Sequence, residues 1–224
     1  MITLYGSYRS RATRQLWLLA ETGTPFDLIP VLQEYRLTAA NAGWTGLTTT
    51  SPEFLAVNAQ GQIPVMVDAG MVDDGLILTE SLAITLYLAR RHGGMLGPQS
   101  DAELALMEQW ALFAATSVEG PGLEIYFAVN DGNENSPGGQ ATIAVAAEKL
   151  RRPLARLQSH LAANSHMVGD RFTAADIITA ECLRYAQSHP ALLVEFPAVN
   201  AWLTACQARP AFQTFWAKRT AEPA

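Results

Sequence analysis

Gly61-Gln62-Ile63-Pro64-Val65-Met66-Val67 carries a proline where an apolar β-strand begins, and Leu78-Thr79-Glu80-Ser81-Leu82-Ala83-Ile84 opens an amphipathic helix on an acid and a serine. Proline cannot donate to a sheet ladder, so at a strand start it marks an edge, a turn or a cis bond. A cis X-Pro bond is uncommon and usually has a structural purpose. Here it would present the backbone of Ile63 to an extended partner. The helix start offers Ser81 and Glu80. One end of such a site can pair with a peptide backbone, and the other can hold a charged terminus. Together they read as a site for a small peptide.

The chain has 224 residues, enough for one large domain or two small ones. It is 49% hydrophobic and 16% charged, a globular balance rather than a disordered one. A net charge of −6 argues against a nucleic-acid partner, although Arg9, Arg11 and Arg14 form a local basic group. No apolar run approaches the length of a membrane span, and the start has no signal-peptide pattern, so a cytoplasmic protein without a membrane partner is expected. Cys182 and Cys206 form no C-x-x-C, which fits a reducing compartment. The four histidines show no metal-ligand spacing, and no metal is expected.

Residues 2–5 are β-prone, residues 11–21 have helical period, and Gly23 is a natural stop. Phe26–Val31 reads as a second strand whose Pro30 marks an edge or an end. Residues 37–52 carry no charge and read as irregular. A short helix is expected at Pro52, capped by Ser51. Ile63–Asp68 and Leu76–Leu78 read as strands around a turn at Asp73-Asp74-Gly75, and Thr79–Arg91 as a helix. The order is β-α-β-α-β-β-α over residues 1–92. A linker is expected at 93–101 and an all-helical segment over 102–224. In that segment Gly120-Pro121-Gly122 should kink a long helix, Asn130–Gly139 should be a loop, and Pro153 should disturb the next helix. Phe172-Thr173-Ala174-Ala175-Asp176-Ile177 is a capped helix start with a role in folding.

Four motifs in order now carry a resemblance: Gly61–Val65, Thr79–Ile84 with Tyr87-Leu88, the capped helix at Phe172–Ile177, and Arg209-Pro210-Ala211-Phe212. The chain resembles the cytosolic glutathione transferase family, in particular bacterial members with a serine-type active-site turn. The resemblance implies an α+β thioredoxin-like N-terminal domain at 1–92 and an all-α C-terminal domain at 102–224. It further implies glutathione bound between them as co-substrate, a small hydrophobic electrophile as second substrate, and a homodimer serving detoxification.

Glutathione reacts through its thiolate, and a free thiol with a pKa of about 8.5 is only a few per cent ionised at neutral pH. Each unit of lowering favours the thiolate by about 1.4 kcal/mol. A donated hydroxyl hydrogen bond and a helix N-terminus act in that direction. Tyr5, Ser7, Tyr8, Ser10 and Thr13 stand in the turn before the first helix. Ser10 best matches the serine-type pattern that continues through Arg14, with Ser7 and Tyr8 as alternatives; Ser10 can equally serve as a helix cap. The resemblance assigns Ile63, before Pro64, to the cysteinyl backbone of glutathione. It gives Ser81 to the γ-glutamyl carboxylate, Glu80 to the ammonium and Gln62 to a neighbouring contact. Gln33, Arg36 and Arg11 are candidates for the glycine carboxylate. Phe113, Ser117 and Tyr126 are candidates for an apolar second-substrate pocket. Trp44 is a candidate cover for that pocket or a dimer seam. The run Ser10-Arg11-Ala12-Thr13 holds no cysteine, so a dithiol cycle is not available there. Two other readings remain: a glutathione-dependent disulfide or peroxide reductase, and a non-catalytic protein-binding module.

Overall fold

Alternation along Ile2-Thr3-Leu4-Tyr5-Gly6 makes β1 a half-buried strand, with Ile2 and Leu4 inside. The computed structural model describes residues 1–38, 43–71 and 75–222. After β1 come α1 (Thr13–Thr22), β2 (Phe26–Leu32), β3 (Leu47–Thr48), α2 (Pro52–Val57), β4 (Val65–Asp68), β5 (Leu76–Leu78) and α3 (Ser81–His92). The sheet order is β3-β2-β1-β4-β5. β1 and β2 run parallel with Ile2 opposite Phe26, which the α1 crossover permits. β4 runs antiparallel to β1 with Met66 opposite Leu4, and β5 runs antiparallel to β4. Val31, Phe54 and Val65 form a buried cluster that Tyr5, Leu47, Val57 and Ile63 pack against.

Several expectations shift. β3 falls inside the stretch expected to be irregular, pairing Val31 with Leu47 and Leu32 with Thr48. Two residues are too few to show a period. β3 covers only this end of β2, so Pro30 lies where no third strand needs its missing N–H. The strand expected from Ile63 starts at Val65. Ser51 precedes α2 without a side-chain cap bond, because its hydroxyl accepts from the Thr48 N–H at 2.8 Å. Residues 39–42 of the expected irregular stretch, and Asp73 and Asp74 of the expected turn, lie outside the described residues.

The chain divides into two compact units: Met1–Gly94 together with Pro210–Ala224, and Met95–Arg209. The closing helix α10 (Pro210–Ala221) therefore belongs with the first unit, not with the helical segment that precedes it. Its Phe212 meets Trp17 of α1 edge-on at 4.8 Å, and Trp17 is fully buried.

The second unit holds α4 (Asp101–Phe113), α5 (Gly120–Asn130), α6 (Pro137–Ala163), α7 (Ala174–Leu183), α8 (Pro190–Val194) and α9 (Pro197–Gln207). Gly120-Pro121-Gly122 does not break the α4–α5 run where it stands. The backbone instead widens into a π-helical turn over Ala114–Glu119, just before it. Pro121 has no N–H and its ring crowds the carbonyl one turn earlier, so the ladder loosens upstream. Gly138 and Gly139, expected in a loop, lie in the first turn of α6, where Ser136 caps the Gly139 N–H at 3.0 Å. Pro153 lies inside the 27-residue α6. Every residue of α7 is buried, and its capping box forms as expected. Asp176 has further partners: the Met167 N–H and the Trp202 indole N–H, each at 3.0 Å.

Candidate functional site

The first unit folds three chain segments around a small cleft. Arg11, Gln62, Ile63, Pro64, Glu80 and Ser81 line it, with Asn58, Gln60 and Thr79. The Ile63–Pro64 bond is cis. Ile63 is held by its side chain in the β2–α2–β4 cluster. The Asn58 amide donates to the Gln62 carbonyl at 2.8 Å, fixing the loop that carries Gln62 and Ile63. Gly61, with φ at +62°, completes that loop; a side chain there would stand 2.7 Å from the Thr49 carbonyl oxygen.

Across the cleft, Glu80 is the non-glycine residue with positive φ among those described, at 64°. Such conformations persist only where the surroundings over-determine them, and they cluster at functional sites. Glu80 is exposed, and Ser81 directly after it is buried at the start of α3. Ser81 is gripped from α1. The Arg14 guanidinium donates to its hydroxyl at 2.5 Å, and the Gln15 amide donates to its carbonyl and to Thr85 Oγ1. Arg14 and Gln15 are both buried. Gln15 and Asn58 had no role in the sequence reading. Arg14 reads from sequence as part of a basic group and of the serine-type pattern, not as a partner of Ser81. The signal available was an arginine and a glutamine directly before the apolar run Leu16-Trp17-Leu18-Leu19.

The turn before α1 reaches this cleft through Gly6. A Cβ at Gly6 would lie 2.9 Å from the Ala12 Cβ, 3.8 Å from the Pro64 Cβ and 3.9 Å from the Ser10 hydroxyl oxygen. The missing side chain thus lets the Ser10 turn close on Pro64. Ser10 is buried, its hydroxyl donates to the Ser7 carbonyl at 2.8 Å, and the same oxygen accepts the Ala12 N–H at 3.1 Å. It is not the N-cap of α1, a position held by Ala12. Ser7 is buried too, and its hydroxyl oxygen has no hydrogen-bond partner. Tyr5 packs on Phe54 in the core cluster, and the Thr13 hydroxyl donates to the Ser10 carbonyl at 3.2 Å. The Tyr8 backbone N–H is taken by Glu222 at 3.0 Å. Arg36 donates to the Arg9 carbonyl at 3.5 Å and to the Gln33 amide oxygen at 3.4 Å, and neither Arg36 nor Gln33 is among the cleft-lining residues given above. Trp44 donates its indole N–H to the Leu47 carbonyl at 3.0 Å.

In the second unit, Phe113 and Ser117 line a cavity of about 580 Å³ with Thr116, Pro121, Lys149, Arg152, Pro153 and Arg156. Tyr126 is not in that lining and packs edge-on against Tyr185 at 5.5 Å. The three candidate residues therefore do not all line this one cavity. Three cations face it, and the Arg156 guanidinium lies 4.5 Å over the Phe113 ring. Basic residues on α6 have no apolar period to betray which groove they line. Among the described residues no group of three or more metal-ligating side chains forms. No described helix is long and apolar enough to cross a membrane.

Comparison with known proteins gives the family. Residues 9–91 match the glutathione S-transferase N-terminal domain, and residues 106–210 match the C-terminal domain. Glutathione S-transferase 3 of Zea mays is 33% identical over 95% of this chain and 91% of its own. The theta class glutathione S-transferase of Xanthomonas axonopodis pv. citri, solved with glutathione bound, superposes with a TM-score of 0.72. It is 28% identical and covers 95% of both chains. Elongation factor 1-gamma of Danio rerio is 33% identical over 75% of this chain and 37% of its own. The chain belongs to the glutathione S-transferase family: a thioredoxin-like sheet domain followed by a helical domain, with transferase chemistry. A maize relative among these matches shows that the likeness extends beyond bacterial members.

Proposed function

We propose that this enzyme binds glutathione in the Ile63–Pro64 and Glu80–Ser81 cleft and transfers its thiolate to a small hydrophobic electrophile. The observation that carries the reading is the convergence at Gly6, where the Ser10 hydroxyl and Pro64 flank the same gap. Glutathione laid along the cleft would pair its cysteinyl backbone with Ile63. Its γ-glutamyl carboxylate would meet Ser81 at the α3 N-terminus, where free N–H groups and the helix dipole favour an anion. Glu80 would face the ammonium, Gln62 would border the tripeptide, and Arg11 would serve the glycine carboxylate. The Ser10 proton, now given to Ser7, would swing to the sulfur. That hydrogen bond stabilises thiolate over thiol and lowers the thiol pKa. The thiolate then attacks the electrophilic carbon, the carbon–sulfur bond forms, and the leaving group departs with its electron pair.

The likeness to the Xanthomonas axonopodis enzyme, whose bound ligand is glutathione, supports a glutathione site and a bacterial kinship. Assembly as a homodimer, a cytoplasmic location and a detoxifying role follow from the same kinship as parts of this proposal. The elongation factor 1-gamma match favours one other reading, a protein-binding module, which would not turn glutathione over. Steady-state turnover of glutathione with an activated aryl halide decides between them. Wild type is expected to conjugate, and Ser10→Ala to lose about tenfold to a hundredfold in kcat/KM, matching one to two units of thiol pKa. Turnover unchanged in Ser10→Ala would remove Ser10 from the chemistry. No turnover in wild type would favour the module.

A further inference from the structure

The backbone of Tyr8 and Arg9, directly before Ser10, is held by the far end of the chain. The Glu222 carboxylate accepts from the Tyr8 N–H at 3.0 Å and from the Arg9 N–H at 2.7 Å. The Arg219 guanidinium donates to the Tyr8 carbonyl at 2.8 Å, and the Arg9 Nε–H donates back to the Arg219 carbonyl at 3.3 Å. Neither sheet nor helix uses these Tyr8 and Arg9 groups, because β1 ends at Gly6 and α1 begins at Thr13. Charge-assisted bonds to backbone N–H groups are the stronger kind, and a carboxylate spanning two successive amides fixes their relative direction.

The clamp is itself anchored. Arg219 lies 5.1 Å over the Trp216 ring, Trp216 stacks on Phe212 at 5.2 Å, and Phe212 meets the buried Trp17 of α1. Lys218 stands 5.8 Å over the Tyr8 ring on the same side. The segment entering Ser10 is thus tied through α10 to the helix that leaves it.

We propose that Glu222 and Arg219 are positioning residues for the proposed thiolate-stabilising hydroxyl: by holding the Tyr8–Arg9 backbone they set where Ser10 can point. This rests on the reading of Ser10 given above. Neither residue is among those that line the cleft, and their effect on glutathione chemistry is exerted through the turn. Losing the clamp frees the 7–10 turn to rotate, and the Ser10 proton then stays with the Ser7 carbonyl for more of the time.

The test is the pH titration of the bound glutathione thiol, followed by thiolate ultraviolet absorbance, in wild type, Glu222→Gln, Arg219→Lys, Ser10→Ala and the Ser10→Ala/Glu222→Gln double variant. Glu222→Gln is expected to move the titration toward that of free glutathione and to cut kcat/KM about three- to tenfold. Glutathione affinity and thermal midpoint should stay near wild type. Arg219→Lys, which keeps the charge but loses the planar fork, should move the titration in the same direction. The double variant should be no worse than Ser10→Ala, because both act through one hydroxyl. A wild-type titration in both Glu222→Gln and Arg219→Lys overturns the proposal, as do losses that multiply in the double variant. A wild-type titration in Ser10→Ala overturns the functional reading itself, and the positioning role with it.

Discussion

Ser81 concentrates the contacts that make the cleft. Its hydroxyl takes the Arg14 proton at 2.5 Å, and its carbonyl takes Gln15 and Thr85. Ser81→Ala removes a proposed glutathione contact and, at once, an acceptor of a buried guanidinium. We expect glutathione binding to weaken about tenfold, or about 1.4 kcal/mol, read by equilibrium titration. We also expect the unfolding free energy to fall by about 1–3 kcal/mol, read by urea denaturation. Binding unchanged within error would place the carboxylate elsewhere. At this scale the sequence showed what is local. Ile63-Pro64 and Glu80-Ser81 are short motifs whose residue types announce a peptide backbone and a charged terminus. Arg14 and Gln15 act across 67 and 66 positions, and Asn58 acts through a loop carbonyl. Such roles have no local pattern, because nothing nearby in the chain specifies the partner. Gly6 is equally silent: its importance lies in what would collide with a side chain there.

Elements were legible where period or capping was strong, as in α1, α3 and the Thr173–Asp176 box. They were not where length or tertiary crowding took over, as in two-residue β3 and the π-helical turn upstream of Pro121. The entry into α4 carries a pH signature. Arg171 donates to both oxygens of Glu103, at 3.0 and 2.5 Å, and to the carbonyls of Met95 and Gly97. The Arg171 hydrogen bond, then the Gln99 N–H, hold the Glu103 carboxyl down to about 2 from an ordinary 4.5. A depressed carboxyl stabilises the fold fully above its unfolded pKa and loses that contribution as pH falls through the folded one. The window is therefore from about 4.5 down to about 2. With Arg171 and Glu103 side chains 18% and 22% exposed, solvent screening holds the contribution to about 1 kcal/mol. Urea denaturation should show wild type losing its advantage over Glu103→Gln across that window. A constant difference at every pH would show that the pair contributes nothing through ionisation.

At the scale of the whole molecule, the order of elements in the sequence predicted a sheet domain and a helical one. The return of α10 to the first unit was not predicted. Arg209-Pro210-Ala211-Phe212 reads as one more helix start; only packing reveals that Phe212 and Phe215 bury themselves beside Trp17. The first unit thus draws its turn and its cleft from residues 7–81 and the clamp on that turn from α10 and Glu222. On the proposed function, this unit captures a thiol and converts it to thiolate in a single binding event. Calorimetric titration of glutathione into the protein near pH 7, repeated in buffers of different ionisation enthalpy, counts the protons released on binding. A thiol of pKa about 8.5 lowered by one to two units should release between about a quarter and three quarters of a proton per glutathione bound. The account predicts that release. Binding heats that do not depend on the buffer, or no binding at all, would contradict it.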